Sequence, residues 1–365
     1  QPGLAAQKQQ GRHGSSPIWL ALGPRKHVLF GNLAANKLST PVYQGIFLPL
    51  TPEKHCIMSL LVIGTVAFDQ VETPFGESGK IIGGAATYVS LAASYFLKNN
   101  IHLVSVVGDD FPQSGIENFQ RRGIGTEGLQ IKQGEKSFFW HGRYRADMNS
   151  RDTLDTQLNV LADFNPVLPD SLKELDFLML GNLVPAVQKS VLNQMNKRPK
   201  LTVMDTMNFW MDTAWDELIE TIKLVDVLTI NDEEARQLTG EYSLVVAAQK
   251  ILTMGPKYLV IKKGENGALL FHGKEVFYAP ALPLEEVFDP TGAGDSFAGG
   301  FIGYLAATGD LSFENMKRAV IYGSAIASFC VEKFGIERVT DLRQEELDAR
   351  IKEFVNLVQF DIDLA

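Results

Sequence analysis

The 365-residue sequence is short of cysteine, short of basic residues relative to acids, and has no long apolar run, and each shortage removes a class of protein. Two cysteines, Cys56 and Cys330, cannot build a disulfide framework, and neither has a Cys or His neighbour at zinc-ligand spacing. A reducing compartment, read as the cytoplasm, fits that usage. No uninterrupted apolar segment approaches the roughly 20 residues that cross a bilayer, so no membrane partner is expected. Lys and Arg total 34 against 43 Asp and Glu, and a net charge of -9 argues against general affinity for nucleic acid or acidic membranes. No internal repeat is visible.

What is present divides at Met58. Residues 1–57 carry six basic residues against the single acid Glu53 and open on a Gln/Gly/Ser-rich run. They are read as an N-terminal extension, disordered or not native, with an organelle-targeting peptide as the alternative. Residues 58–360 read as one domain with a lid formed by segments near 70–82 and 130–147. Short apolar runs ending on glycine or a polar residue at 59–66, 104–108, 176–182, 201–205, 225–231 and 258–262 alternate with helical segments. That pattern predicts a mostly parallel sheet with helices on both faces.

The stretch organising the rest is Asp289-Pro290-Thr291-Gly292-Ala293-Gly294-Asp295-Ser296, which runs into the helically spaced Phe297, Phe301 and Leu305. Gly292 and Gly294 permit backbone angles that aim successive N–H groups at one spot, and a helix starting there favours an anion at its mouth. A glycine turn that merely starts a core helix is the alternative. Asp69 follows the first strand, where the ligand crevice of a parallel sheet lies, although a turn aspartate reads the same way. Gly83 and Gly84 open the first helix. Asn231-Asp232-Glu233-Glu234 sets Asn231 and Glu234 three apart at a helix start, a position acids also occupy as partners of the helix dipole. Lys262 ends a strand beside a glycine turn, where it can meet a phosphate or simply be solvated. The polar run 147–159, with Arg151, Asp152, Asp155 and Thr156, reads as a rim or a solvated loop.

Taken in order, these motifs resemble the PfkB/ribokinase family of carbohydrate and nucleoside kinases. D-P-T-G-A-G-D-S-F-A-G-G-F is similar to the family's C-terminal signature, Asn231 to Glu234 to its N-x-x-E, and Gly83-Gly84 to its glycine pair. The resemblance implies a ribokinase-like three-layer α/β fold with a small β lid. It implies an ATP-dependent transfer of the γ-phosphate to a hydroxyl of a sugar or sugar-like alcohol, with a nucleoside kinase and a catalytically silent binding protein as alternatives. Asp295 would be the base, and Gly292, Ala293 and Gly294 the anion hole. Asn231 and Glu234 would serve Mg2+ and phosphate, with Glu234 the metal residue. Lys262, Gly264, Gly267 and Gly335 would lie on the nucleotide side. Asp69, Gly83, Gly84, Tyr88, Arg143, Asp205 and Asn208 would face the acceptor, and Asp289 a monovalent cation such as K+.

Two positions depart from the family pattern. Tyr88 stands where the family usually has asparagine, and Ala85 where ribokinases have lysine, so recognition of ribose in the ribokinase manner is not expected. Tyr88, Trp140 and Tyr144 could instead stack on a ring such as a base. The exposed lid edge leaves a homodimer open.

Overall fold

The computed structural model describes residues 58–359. The expectations for residues 1–57, and Cys56 with them, lie outside the described residues. The chain starts with β1 (Leu60–Ile63), leaves the main sheet for β2 (Ala67–Thr73), β3 (Gly76–Glu77) and β4 (Ile81–Gly83), and returns through α1 (Ala85–Ala93) to β5 (Ile101–Gly108). Next come α2 (Gln113–Arg121), β6 (Ile124–Lys132), β7 (Phe139–Tyr144) and β8 (Arg151–Gln157). Alternation then resumes with β9 (Phe177–Leu180), α3 (Pro185–Gln194), β10 (Leu201–Asp205), α4 (Asn208–Thr213), α5 (Trp215–Ile222), β11 (Val227–Asn231), α6 (Asp232–Thr239), α7 (Leu244–Thr253) and β12 (Tyr258–Lys262). The antiparallel β13 (Ala268–His272) and β14 (Glu275–Ala279) precede α8 (Ala293–Thr308), α9 (Phe313–Cys330), α10 (Glu337–Asp341) and α11 (Gln344–Val358).

Nine strands form the main sheet in the order β14-β13-β12-β11-β10-β9-β1-β5-β6, parallel from β12 to β6. The four residues of β1 are fully buried because successive side chains enter opposite cores. Leu60 and Val62 pack with Val89, Phe301 and Val320 of α1, α8 and α9, whereas Leu61 and Ile63 pack with Val191, Leu218 and Ile251 of α3, α5 and α7. Each such burial is worth about 2 kcal/mol, and together they explain why a strand covered on both faces has no polar residue. Strand order reverses at β1, with β5 on one side and β9 on the other, so a crevice opens at the carboxyl ends of the strands there. α8 lies close against α1: a Cβ at Gly303 would come within 2.8 Å of the Ala93 Cα. Only glycine permits that approach.

A second sheet, ordered β3-β2-β7-β8 with β4 also on β2, forms the lid. Its composition differs from the expected one. Residues 130–132 belong to β6 at the main-sheet edge, and the polar run 151–157, read as a rim or loop, is strand β8 paired antiparallel to β7. β8 escapes a hydrophobic reading because all seven of its residues are exposed. Among the described residues, no helix is long and apolar enough to cross a membrane.

Candidate active site

The mouth of α8 is where the polar residues converge. Gly292 caps the helix at φ 75°, a left-handed conformation that β-carbon-bearing residues adopt at a cost, and a Cβ there would run into the Tyr88 ring. Asp295 falls in the first helical turn. Upstream, Asp289 is buried and both its oxygens accept backbone N–H bonds, Oδ1 from Thr291 at 2.8 Å and Oδ2 from Gly335 at 2.9 Å. These two bonds fix the loop that turns into the helix. Gly335 therefore braces Asp289, with Ile81 of the lid at its own back.

Asp69, on β2, reaches the same space from the first half of the chain. Its carboxylate fills the volume that a side chain at Gly83 would take, and the Gly84 N–H stabilises it. Tyr88 is fully buried behind Gly292, and its hydroxyl has no hydrogen-bond partner among the described residues. The tyrosine therefore forms the wall of the crevice rather than an open stacking platform.

The second half of the chain supplies the opposite side. Lys262 ends β12, and its Nζ donates to Asp205 Oδ2, at the end of β10, at 2.9 Å. A Cβ at Gly294 would lie 3.2 Å from that Nζ, so the ammonium stands directly before the helix mouth. Asn231 and Glu234 form a reciprocal capping box on α6: Asn231 Oδ1 accepts from the Glu234 N–H, and Glu234 Oε2 from the Asn231 N–H, both at 2.8 Å. The motif thus closes its own helix start, and Glu234 keeps Oε1 without a partner among the described residues.

Three residues named from the sequence are not drawn into this cluster. Arg143 lies on the outer face of the lid, bonded to Glu72 at 2.5 Å, because in the β2–β7 register Glu72 sits opposite Arg143 and Asp69 opposite Trp140. Asn208 is exposed and its Oδ1 accepts from the adjacent Phe209 N–H. Gly267, at φ 76°, closes the β12–β13 turn against the β14 backbone. Gly264 is exposed at the same turn, where Asn149 of the lid abuts it.

Sequence reading named Trp140, Tyr144 and Arg151 separately, as stacking and rim candidates, without placing them on one face of the lid. Strand alternation puts Trp140, Gly142 and Tyr144 of β7 on the face that Asp69 occupies, with Thr153 and Arg151 of β8 opposite Gly142 and Tyr144. Trp140 Nε1 donates to Thr153 Oγ1 at 3.3 Å, and Thr291 Oγ1 donates to the Tyr144 hydroxyl at 3.4 Å. The signal was present in the β-branched Thr153 and Thr156 of 151–157 and in the Asp147 to Ser150 turn.

Crowded carboxylates and burial govern the electrostatics. Burial pushes Asp69 up to about 7, with the negative charge of Asp289 adding to it. Burial likewise pushes Glu234 up to about 7 against the pull of Lys262. Asp295 rises to about 7 through burial and the charge of Asp205, opposed by Lys262 and Arg151. Burial alone would lower Lys262, but Asp205 and Glu234 outweigh it and hold the ammonium above its ordinary range. A carboxylate that titrates near neutrality beside a helix mouth and a fixed ammonium can take a proton from an alcohol while an anion is held opposite.

Comparison with known proteins identifies the family. Residues 59–341 match the model of the pfkB family of carbohydrate kinases. The cytidine kinase of Thermococcus kodakarensis is 30% identical over 250 residues, covering 67% of this chain and 88% of that protein. The ribokinase of Lactococcus lactis is 25% identical over 309 residues, covering 81% and 98%. An Escherichia coli protein described as a ribokinase II, solved with ATP and Mg2+, superposes with a TM-score of 0.67 at 20% identity, covering 81% and 99%. The last similarity is one of fold, and it gives the α/β architecture its ribokinase-like character.

Proposed function

Since the chain belongs to the pfkB family of carbohydrate kinases and is an ATP-dependent phosphotransferase acting on a sugar or a nucleoside, we propose that Asp295 is its base and the α8 mouth its anion hole. One observation carries this reading: Asp295 lies in the first turn of a helix with a left-handed Gly292 cap beside Lys262, and the Gly292 and Gly294 N–H groups have no backbone partner among the described residues, whereas that of Ala293 donates to the Pro290 carbonyl at 3.1 Å. In the step, the acceptor oxygen bonds to the γ-phosphorus and its proton passes to Asp295. The bond from that phosphorus to the β–γ bridging oxygen breaks, and its electron pair leaves on ADP. Charge spreads over the equatorial oxygens, where the N–H groups of Gly292 and Gly294 meet it; Ala293, expected as a third donor, gives its N–H to the Pro290 carbonyl and would have to release it to join them. Lys262 and Gly264 face the nucleotide phosphates, and Asp69 with Gly83 and Gly84 holds the acceptor.

Mg2+ fits the residues present. Glu234 offers a hard oxygen with no other partner, and no group of three potential ligands exists among the described residues, as suits an ion held mainly by phosphates and water. When bound, it neutralises β- and γ-phosphate charge. Glu234 and Asn231 would orient it through water. A monovalent cation fits Asp289, a buried carboxylate pushed up by burial and lacking a Lys or Arg partner among the described residues.

Two acceptor classes stand. A sugar or sugar-like alcohol is the first reading, and a nucleoside the second. The second is favoured by Trp140 on the inner lid face, which can stack on a flat base, and by the likeness to a cytidine kinase. ADP release assayed across sugars, nucleosides and cyclitols, with K+ or with Na+ alone, separates them. Turnover with a single class under K+ is the expected result, and no turnover with any acceptor would overturn the reading.

The base assignment sets a pH profile. Asp295 accepts a proton only when ionised, so kcat/KM should climb about tenfold per pH unit below 7 and level off above it, since kcat/KM reports the free enzyme. Stability should move the other way. Asp69, Asp295 and Glu234 are raised in the fold above their ordinary values of 3.8, 3.8 and 4.5, so at these three groups the fold binds more protons than the unfolded chain between about 4 and about 7. The ligand-free melting temperature should therefore be lower at pH 8 than at pH 6. A flat kcat/KM from pH 5.5 to 8.5 would remove Asp295 from the role.

A further inference from the structure

A cleft of about 280 Å³ lies between α2 and α10, with Ile82 of the lid strand β4 as a third wall. That volume is near the lower end for small-molecule sites. Its frame is fixed at both ends. At one, Arg122, which follows α2, donates to the Tyr95 hydroxyl and to the Val339 and Thr340 carbonyls of α10. At the other, a Cβ at Gly115 of α2 would come within 2.9 Å of Ile82 Cδ1, and one at Gly335, just before α10, would lie 3.5 Å from the Ile82 carbonyl. Ile82 therefore bridges the starts of the two helices, and the cleft between them is preformed.

The polar groups of this cleft are largely unspent. Arg121 and Asp341 are the last residues of α2 and α10, and they flank the bond from Arg122 to Thr340. Neither forms an ion pair or a side-chain hydrogen bond among the described residues, whereas Glu337 of the same cleft is paired with Lys333. The Thr340 hydroxyl is buried and has no partner among the described residues. These groups select a chemistry. Glu337 and Asp341 outnumber Arg121, so a phosphate or a nucleotide would meet an excess of negative charge. No aromatic side chain lines the cleft to stack on a sugar or a base. One free cation and one free anion at one end, with the aliphatic Ile82 and Ile336 at the other, suit a molecule that carries both charges and an aliphatic tail. The Arg121 fork matches a carboxylate, and Asp341 accepts from an ammonium.

We propose that the α2–α10 cleft is a regulatory site for an aliphatic α-amino acid, coupled to the acceptor end of the crevice through Ile82 and Ile336. Each isoleucine adjoins a glycine of that crevice. Ile82 precedes Gly83, whose missing side chain makes room for the Asp69 carboxylate, and Ile336 follows Gly335, whose N–H donates to Asp289 at 2.9 Å. A molecule seated against both isoleucines holds β4 on α10 as they stand, and with them the backbones of Gly83 and Gly335. It therefore favours the arrangement in which Asp69 is in place, and an acceptor bound at Asp69 favours the amino acid by the same factor. Binding in the cleft stands apart from the phosphotransferase reading, and only its effect on turnover rests on that reading.

L-Leucine is the probe. Calorimetry on the full chain should give a Kd of about 1 mM or tighter, and saturating leucine should lower the acceptor KM about fivefold with the KM for ATP unchanged. Leucinamide, which lacks the carboxylate, and isocaproate, which lacks the ammonium, should each bind at least about tenfold more weakly, because either leaves one charge unmatched. R121Q and D341N alter exposed side chains, so the melting temperature and the leucine-free turnover should stay at wild-type values. Each should weaken leucine at least about tenfold. A leucine Kd weaker than about 1 mM overturns the proposal. So does leucine binding that R121Q and D341N leave intact, which places it elsewhere, and so does inorganic phosphate binding in the cleft instead, which reverses the chemistry. Leucine binding with an unmoved acceptor KM overturns the coupling. If the wild type turns over no acceptor, the phosphotransferase reading fails, while calorimetry with leucine still decides the cleft.

Discussion

Asp295→Asn should leave ATP binding within about threefold of wild type and lower kcat by about 10³- to 10⁴-fold, the range attributable to a positioned general base. Asparagine preserves size and the first turn of α8, so the N–H groups at Gly292 to Gly294 stay where they are. What is lost is a basic oxygen in the crevice. Asp295 is buried and crowded by the charge of Asp205, so the neutral side chain should also relieve repulsion. The melting temperature is expected to rise slightly or stay level, the mark of a residue kept for chemistry rather than stability. Isothermal titration with ATP, single-turnover kinetics and thermal melts check the three parts. Retention of more than a tenth of wild-type kcat would falsify the assignment of the base.

Lys262→Met should act on both stability and turnover. Lys262 and Asp205 form a largely enclosed ion pair, with side-chain exposures of 17% and 7%. Removing one member of such a pair strands the other in a poor solvent, at a cost of about 3–5 kcal/mol. Asp205 then stands beside Asp295 and Glu234 with no cation at the centre, and an incoming triphosphate meets only negative charge. The expected result is a melting temperature lower by roughly 6–10 °C, with a KM for ATP raised at least about tenfold for loss of a charge-assisted contact. Adding Asp205→Asn should restore most of the stability, because no uncompensated charge remains, without restoring turnover. A double-mutant cycle on melting temperature reads the coupling directly. A Lys262→Met protein as stable as wild type would mean that water solvates Asp205 and that the pair is a surface contact.

The two replacements act at opposite ends of sequence legibility. Asp295 could be placed at a helix mouth from its own neighbourhood, because a glycine cap followed by an acid in a first helical turn is a local pattern with a local cause, while its role as base came from the family resemblance. The buried strands were legible for a similar reason: β1 and β9 lie between two helix layers and are apolar without alternation, and β10 and β11 carry one threonine each before their polar ends. β8 had no such mark. Its seven residues are exposed, and it exists as a strand because β7 pairs with it. The capping box was legible as a spacing, yet spacing alone could not say that Glu234 turns one oxygen to its own helix start and leaves the other free.

Sequence by itself determined the layers, the family resemblance and the helix mouth at Gly292 to Asp295, since each depends on residues within a few positions of one another. Tertiary structure alone decided which face of the lid each arginine takes. Arg143 and Arg151 are basic residues on two strands of one lid, and a strand turns alternate side chains to opposite faces, so a one-residue slip of β8 on β7 would bring them to the same face. The pairing of Glu72 with Arg143 and of Tyr144 with Arg151 settles that register, sending Arg143 out to Glu72 and Arg151 in. The Lys262–Asp205 bond likewise joins residues 57 positions apart. A local pattern carries no such information, because the contact exists only once β10, β11 and β12 lie side by side.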